Sequence, residues 1–130
     1  MPWSAHYDPE TRIVTLSYSG VIALPDLMAA FGEGLRLGAQ HKTDLFLGDC
    51  TALTKGPSVA ELYLLAEKFG SDGTKFSVKQ AIILPSLPDA STDLHFWETT
   101  TQNHGFTTSV FSDHLRAEKW LLSHDTRPKA

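Results

Sequence analysis

Two short, nearly continuous apolar stretches separated by a helical pattern constrain the fold of this chain more than any other feature. Residues 44–50 (DLFLGDC) and 79–86 (KQAIILPS) have the composition of strands buried on both faces of a parallel sheet. Between them, residues 58–70 (SVAELYLLAEKFG) repeat apolar side chains at the spacing of an amphipathic helix. Parallel neighbours need such a crossover, so the three segments predict a strand–helix–strand unit.

The remaining patterns extend this unit in both directions. A period of two between Ile13 and Ser19, after a turn at Asp8-Pro9, predicts an antiparallel hairpin at the start of the chain. The other segments predict, in chain order, a helix over 24–38 ending at Gly38, a helix over 88–105 ending at Gly105, a strand over 107–113 and a helix over 113–124 with Asp113 as N-cap. The order β-β-α-β-α-β-α-β-α predicts one α/β domain over residues 1–124, with a mainly parallel five-stranded sheet, one antiparallel hairpin and a frayed tail over 125–130.

Two of the predicted helices have a well-defined apolar face. In the first, Leu27, Ala30, Phe31 and Leu35 share one side. In the second, the face that should pack on the sheet comprises Val59, Leu62, Leu65, Ala66 and Phe69, and Gly70 is expected as the C-cap.

Charge and composition of the 130 residues exclude several classes of protein. The net charge is -4 and no basic cluster occurs, which argues against nucleic acid as the main partner. No apolar run approaches the roughly 20 residues that span a bilayer, and the first ten residues lack the apolar region of a secretory signal. The single cysteine, Cys50, cannot form an internal disulfide, which fits a reducing compartment. We therefore expect a cytoplasmic domain without a membrane span.

Three stretches carry a resemblance to a known family: residues 7–20 (YDPETRIVTLSYSG), 45–53 (LFLGDCTAL) and 107–121 (TTSVFSDHLRAEKWL). Together with the order of elements, they resemble the SpoIIAA-like proteins of the STAS superfamily, which are anti-sigma-factor antagonists and their bacterial relatives. The resemblance covers nearly the whole chain as a pattern of elements. It implies the SpoIIAA-like fold and a role in binding a protein partner.

The regulatory members of that family carry a phosphorylated serine in an Asp-Ser-Ser/Thr-Gly motif, where the loop after the central strand enters the next helix. The motif falls on residues 57–60 (PSVA) of this chain, and Ser58 matches the phosphorylated serine. Pro57, Val59 and Ala60 replace the other three positions. The resemblance thus makes Ser58 a phosphoacceptor candidate with only the serine retained.

Ser58 also has a purely structural explanation. Ser58-Val59-Ala60-Glu61 has the spacing of a capping box, in which the serine hydroxyl accepts from the Glu61 N–H and the Glu61 carboxylate accepts from the Ser58 N–H. Asp49, at the end of the preceding strand, is expected to order the following turn by accepting hydrogen bonds from backbone N–H groups. Ser58, Asp49 and Glu61 are therefore candidates for ordering this loop.

No catalytic or metal site emerges from the remaining candidates. Cys50 stands beside Asp49, whereas a nucleophilic thiolate needs a cationic or histidine-paired setting. The six histidines lack ligand spacing; His95 and His104, nine residues apart, would lie about 13 Å apart along a helix. We expect no cofactor, no metal and no catalysis.

The aromatic residues Phe31, Tyr63, Phe96 and Trp97 are the candidates for a ligand or interface contact. Phe96 and Trp97 are adjacent and so point in different directions, which favours burial of one and exposure of the other. An exposed one would anchor an interface between the helices of a homodimer.

Three functions remain open. The first is a non-catalytic regulatory or binding module that acts through a protein partner. The second is a carrier or sensor of a small apolar ligand or lipid, since the SpoIIAA-like fold is similar to the lipid-carrying SEC14 type. The third is a hydrolase or transferase built around Cys50 or Asp49, which would need a histidine within reach of the thiol.

Overall fold

The computed structural model describes residues 2–72, 78–85, 95, 97–99 and 107–123. The elements are β1 (Trp3–Asp8), β2 (Ile13–Val21), α1 (Leu24–His41), β3 (Leu45–Lys55), α2 (Val59–Asp72), β4 (Lys79–Ile83), β5 (Thr107–Phe111) and α3 (His114–Leu122). Helical backbone also occurs at residues 95 and 97–99, between β4 and β5, where the sequence predicts a helix. The predicted tail over 125–130 and the helix end at Gly105 lie outside the described residues.

The five strands form one sheet in the order β1-β2-β3-β4-β5. β1 and β2 are antiparallel, and every other neighbouring pair is parallel. This confirms the predicted fold class, a mainly parallel sheet with one hairpin at its edge. In the hairpin turn, the Asp8 carboxylate accepts from the Glu10 N–H at 2.9 Å, and Arg12 adopts a left-handed backbone with φ 62° before β2 begins.

The sheet has one apolar cluster on each face, because consecutive strand residues point to opposite sides. We call them the α1/α2 face and the α3 face after the helices that cover them. The α1/α2 face includes Val14, Leu16, Tyr18, Phe46, Ile82 and Trp97. The α3 face includes Ile13, Leu47, Ala81, Ile83, Phe111 and Trp120.

α1 does not end at Gly38, as the sequence pattern predicted, but continues to His41, and Lys42 caps it with a left-handed backbone. Gly38 is buried against the sheet: a Cβ there would lie 2.8 Å from Cζ of Phe46 and 3.0 Å from the Thr43 carbonyl oxygen. The glycine is required by close packing of the helix on β3, not by a turn. Gly70 likewise lies within α2, which continues to Asp72.

Candidate functional site

The segment after the central strand is shorter than the sequence suggested, because β3 extends to Lys55 and only residues 56–58 separate it from α2. The extension pairs with β2 through an irregular register: Ser17 lies opposite Asp49, whereas Ser19 lies opposite Ala52. The Asp49 carboxylate accepts from the Thr51 N–H at 3.1 Å and from the Thr51 hydroxyl at 2.7 Å. Asp49 therefore holds a β-bulge within the strand rather than a turn beyond it.

The start of α2 contains both hydrogen bonds of the capping box. The Ser58 hydroxyl accepts from the Glu61 N–H at 3.2 Å, and the Glu61 carboxylate accepts from the Ser58 N–H at 3.1 Å. Ser58 is exposed to solvent. Its hydroxyl is thus accessible, but it is already used to satisfy a backbone donor at the first turn.

A cavity of about 60 Å³ lies directly behind this loop, between the α1/α2 face of the sheet and the two helices. We call it the Trp97 cavity. Its apolar wall is formed mainly by Ile22, Leu27, Phe31, Leu53, Leu62 and Ile82. Gly48 of the central strand also lines it, and the missing side chain leaves part of the space, since the nearest atom to a Cβ there would be 3.7 Å away.

Four of the lining residues have a polar group or sulfur in their side chains: Tyr18, Cys50, Gln80 and Trp97. The Trp97 indole N–H donates to Oε1 of Gln80 at 3.4 Å, and the Thr108 hydroxyl donates to the same oxygen at 3.4 Å. Because the indole can only donate, these contacts identify the amide oxygen of Gln80 and leave its NH₂ group on the other side. None of the thirteen lining residues is charged at neutral pH.

The thiol and the phenol in this wall are both held in their neutral forms. Burial raises the pKa of the Cys50 thiol to about 12, and the adjacent Asp49 carboxylate contributes to the rise. Burial also raises the pKa of the Tyr18 hydroxyl well above its ordinary value. No hydrogen bond joins Cys50 to a histidine among the described residues, so the pairing that would activate a nucleophile is not present there.

The structure brings together only two of the four predicted aromatic candidates. Phe31 and Trp97 meet edge to face with ring centroids 5.4 Å apart, and both line the cavity. Trp97 is 3% exposed and packs in the domain core, so it offers no exposed contact for an interface. Tyr63 is 46% exposed on the outer side of α2, and Phe96 lies outside the described residues.

Sequence reasoning missed Tyr18 and Gln80 as site residues. Gln80 carried a signal, since it is a neutral polar residue within a strand in which every residue is buried. Tyr18 carried less, because an inward-facing tyrosine on an alternating strand reads as ordinary core.

No group of three or more potential metal ligands occurs among the described residues. Within the same part of the chain, no helix is long and apolar enough to cross a membrane.

The sheet order, the edge hairpin and the helices on both faces define a SpoIIAA-like α/β domain. A crystal structure of an uncharacterised protein of the DUF3478 family with a SpoIIAA-like fold, from Shewanella loihica PV-4, is similar to this chain. The TM-score is 0.56 and the identity 20%, over 92% of this chain and 91% of that one. This likeness confirms the predicted fold and carries no information about activity. No family model and no curated protein matches the sequence.

Proposed function

We propose that the chain is a non-catalytic binding module that acts through a protein partner docking on the outer side of α2. The observation that carries this is the composition of that side. Leu62 and Leu65 pack in the core, whereas Tyr63 and Leu64, 46% and 59% exposed, present a second apolar surface to solvent. A helix that covers a sheet with one side normally has a polar outer side, so the exposed pair favours a protein contact. We call Ala60, Tyr63, Leu64 and Glu67 the α2 surface.

The chemistry of the strongest nucleophile candidate supports the absence of catalysis in this proposal. Cys50 is 4% exposed and its pKa of about 12 keeps it protonated at neutral pH. Asp49, the other candidate, uses one carboxylate oxygen to hold the bulge at Thr51. The lone buried thiol is consistent with action in the cytoplasm.

A capture experiment with matched variants tests the partner surface. Immobilised wild type, Leu64→Asp and Leu115→Asp are exposed to a lysate of the native host, and bound proteins are identified by mass spectrometry. Leu115 is the control because it is 66% exposed on α3, on the other face of the sheet. We expect a partner that wild type and the Leu115 variant retain and the Leu64 variant loses. Equal capture by both variants would contradict the proposal.

Ser58 would regulate this surface through its charge. Phosphorylation of Ser58 would remove the hydroxyl group that now accepts a hydrogen bond from the Glu61 N–H. It would also place negative charge beside the Glu61 carboxylate, which accepts a hydrogen bond from the Ser58 N–H. Asn and Asp cap helices about equally well, but only Asp is charged. We expect Ser58→Asp to weaken capture of the partner and Ser58→Asn to leave it unchanged. An identical result for both would remove the switch from the proposal.

The partner can also be a second copy of this chain. In that case light scattering should show a dimer for wild type and for Leu115→Asp and a monomer for Leu64→Asp, because the exposed pair on α2 would lie at the interface.

A second candidate function, binding of a small apolar ligand, is supported by the Trp97 cavity. Its volume of about 60 Å³ holds roughly four to six water-sized groups at about 10–15 Å³ each. A ligand held mainly within this space would be small.

A further inference from the structure

We propose that the Trp97 cavity binds a small, uncharged molecule with an apolar body and a carbonyl-type hydrogen-bond acceptor, held by the Tyr18 hydroxyl and the Gln80 amide NH₂ group. The inference does not depend on the α2 surface. It specifies the chemistry of the ligand in the second candidate function, and it therefore rests on that proposed function, the binding of a ligand in the cavity.

The first observation is that two donors in the cavity wall lack partners among the described residues but reach space that water can occupy. Tyr18 is 7% exposed and Gln80 8% exposed, and both line the cavity. The Tyr18 hydroxyl makes no hydrogen bond with any described residue, and the hydrogen bonds of the Gln80 amide within the same residues all end on its oxygen. No fully buried side-chain nitrogen or oxygen among the described residues lacks a partner, so both groups are open to water or to a ligand that replaces it.

The second observation is that these donors keep their protons. The raised pKa of Tyr18 means that its hydroxyl stays neutral throughout the physiological range and can donate. An amide NH₂ group only donates. Both groups therefore call for an acceptor, such as a ketone, ester or amide oxygen, with two lone pairs.

The third observation is that the rest of the cavity wall is apolar and uncharged. Aliphatic and aromatic side chains such as Leu27, Phe31 and Leu62 surround the donors, and no lining residue carries a charge at neutral pH. A carboxylate or ammonium group would be desolvated there without a counter-ion, which is costly. The occupant is therefore neutral and small.

The test uses two probes of the same size. Cyclopentanone has the acceptor oxygen, and methylenecyclopentane replaces that oxygen by a CH₂ group. Each is titrated into ¹⁵N-labelled protein at millimolar concentrations while nuclear magnetic resonance follows the Gln80 side-chain NH₂ group and the Gly48 and Gly56 backbone N–H groups. We expect saturable shifts at these positions and tighter binding of the ketone.

Three variants decide the roles of the residues. Tyr18→Phe should weaken ketone binding about two- to tenfold, the worth of one hydrogen bond, without weakening the hydrocarbon. Tyr63→Phe removes the same hydroxyl outside the cavity and should change neither. Gly48→Ala, whose new methyl group meets no atom closer than 3.7 Å, should fold normally and weaken both probes by filling space.

Two results would overturn the proposal, and they differ in meaning. Absence of saturable shifts with either probe would show that the space holds only water, which removes the ligand function as well. Ketone binding of equal strength in wild type and Tyr18→Phe would show that a ligand enters but that the donors do not select it.

Discussion

Lys79 and Gln80 are consecutive residues of β4 and equally buried, yet they differ in how their polar atoms are satisfied. On the α3 face, the Lys79 ammonium group donates to the carbonyl oxygens of Trp120 at 2.6 Å and Ser123 at 3.1 Å, and lies 4.6 Å from the centroid of the Trp120 ring. On the α1/α2 face, the Gln80 oxygen accepts twice while its NH₂ group has no partner among the described residues.

The difference separates a structural polar group from a candidate binding group. Lys79 brings positive charge to the C-terminal end of α3, where the unpaired carbonyl groups and the helix dipole favour it, so its burial is explained by the fold itself. The Gln80 nitrogen and the Tyr18 hydroxyl have no such partner within the described residues, and both reach space that water can occupy. A bound molecule could pair with them there.

The largest expected effect on the free energy of unfolding is at Lys79, the paired polar group on the α3 face. Lys79→Met keeps most of the buried stem but removes the charged donor from the carbonyl groups at the end of α3. Because hydrogen bonds to charged groups are worth about 1.5–3 kcal/mol, we expect urea unfolding to show a loss of about 2–3 kcal/mol. Lys119→Met, an exposed lysine in the last turn of the same helix, is the control and should cost under about 1 kcal/mol. Similar losses of stability in the two variants would mean that Lys79 stabilises the end of α3 only through its positive charge and not through its hydrogen bonds.

A second prediction concerns the stability of the protein at alkaline pH and its dependence on Cys50, which lines the Trp97 cavity. Cys50 releases its proton near pH 9 when unfolded but only near pH 12 when folded, so above pH 9 the folded state binds more protons than the unfolded state. Stability must therefore fall as pH rises, by up to about 1.4 kcal/mol per pH unit, or roughly 2 kcal/mol between pH 9 and pH 10.5. Urea unfolding across this range should show a shallower fall for Cys50→Ala. An equal slope in the variant would show that Cys50 is not buried in this way.

Features that depend on contacts between residues close in sequence were predicted, whereas features that depend on contacts between distant residues were missed. The capping box at Ser58 and the Asp113 cap, whose carboxylate accepts from the Arg116 N–H at 2.8 Å, join residues three positions apart, so their spacing is visible in the sequence. The strands and their order were predictable because periodicity and crossover rules act on each segment separately.

The cavity could not be predicted, because no segment contains it. Tyr18, Gly48 and Gln80 come from three strands, and they meet only through the register of the sheet. Gly38 was misread for the same reason: only the position of Phe46 across the helix–sheet contact shows why a side chain is forbidden there. Burial of Trp97 depended on its contact with Phe31 and Gln80, both distant in sequence.

The third prediction compares two glycines on the α1/α2 face. Gly38→Ala forces contacts of 2.8 Å and 3.0 Å with Phe46 and the Thr43 backbone, and such overpacking typically costs about 1–3 kcal/mol. Gly48→Ala adds the same methyl group at an ordinary van der Waals distance, 3.7 Å from Cγ1 of Ile82, and should leave stability unchanged or raise it by about 0.5–1 kcal/mol. Unfolding in urea measures both. A loss of equal size at Gly48 would show that the cavity has no spare volume.

The smallest expected effect is the most direct test of the comparison, since it concerns the unpaired hydroxyl itself. A tyrosine hydroxyl that is paired in the folded protein contributes about 1 kcal/mol, and Tyr→Phe loses it. The Tyr18 hydroxyl has no partner among the described residues and remains accessible to water, so Tyr18→Phe should leave the stability of the ligand-free protein unchanged. Tyr63→Phe, at an exposed position, gives the baseline for removal of a tyrosine hydroxyl outside the cavity. A loss near 1 kcal/mol for Tyr18→Phe alone would show that the Tyr18 hydroxyl already has a hydrogen-bond partner in the fold, as Lys79 does. The two faces of the sheet would then not differ in the pairing of their polar groups, and this argument for a ligand would fail.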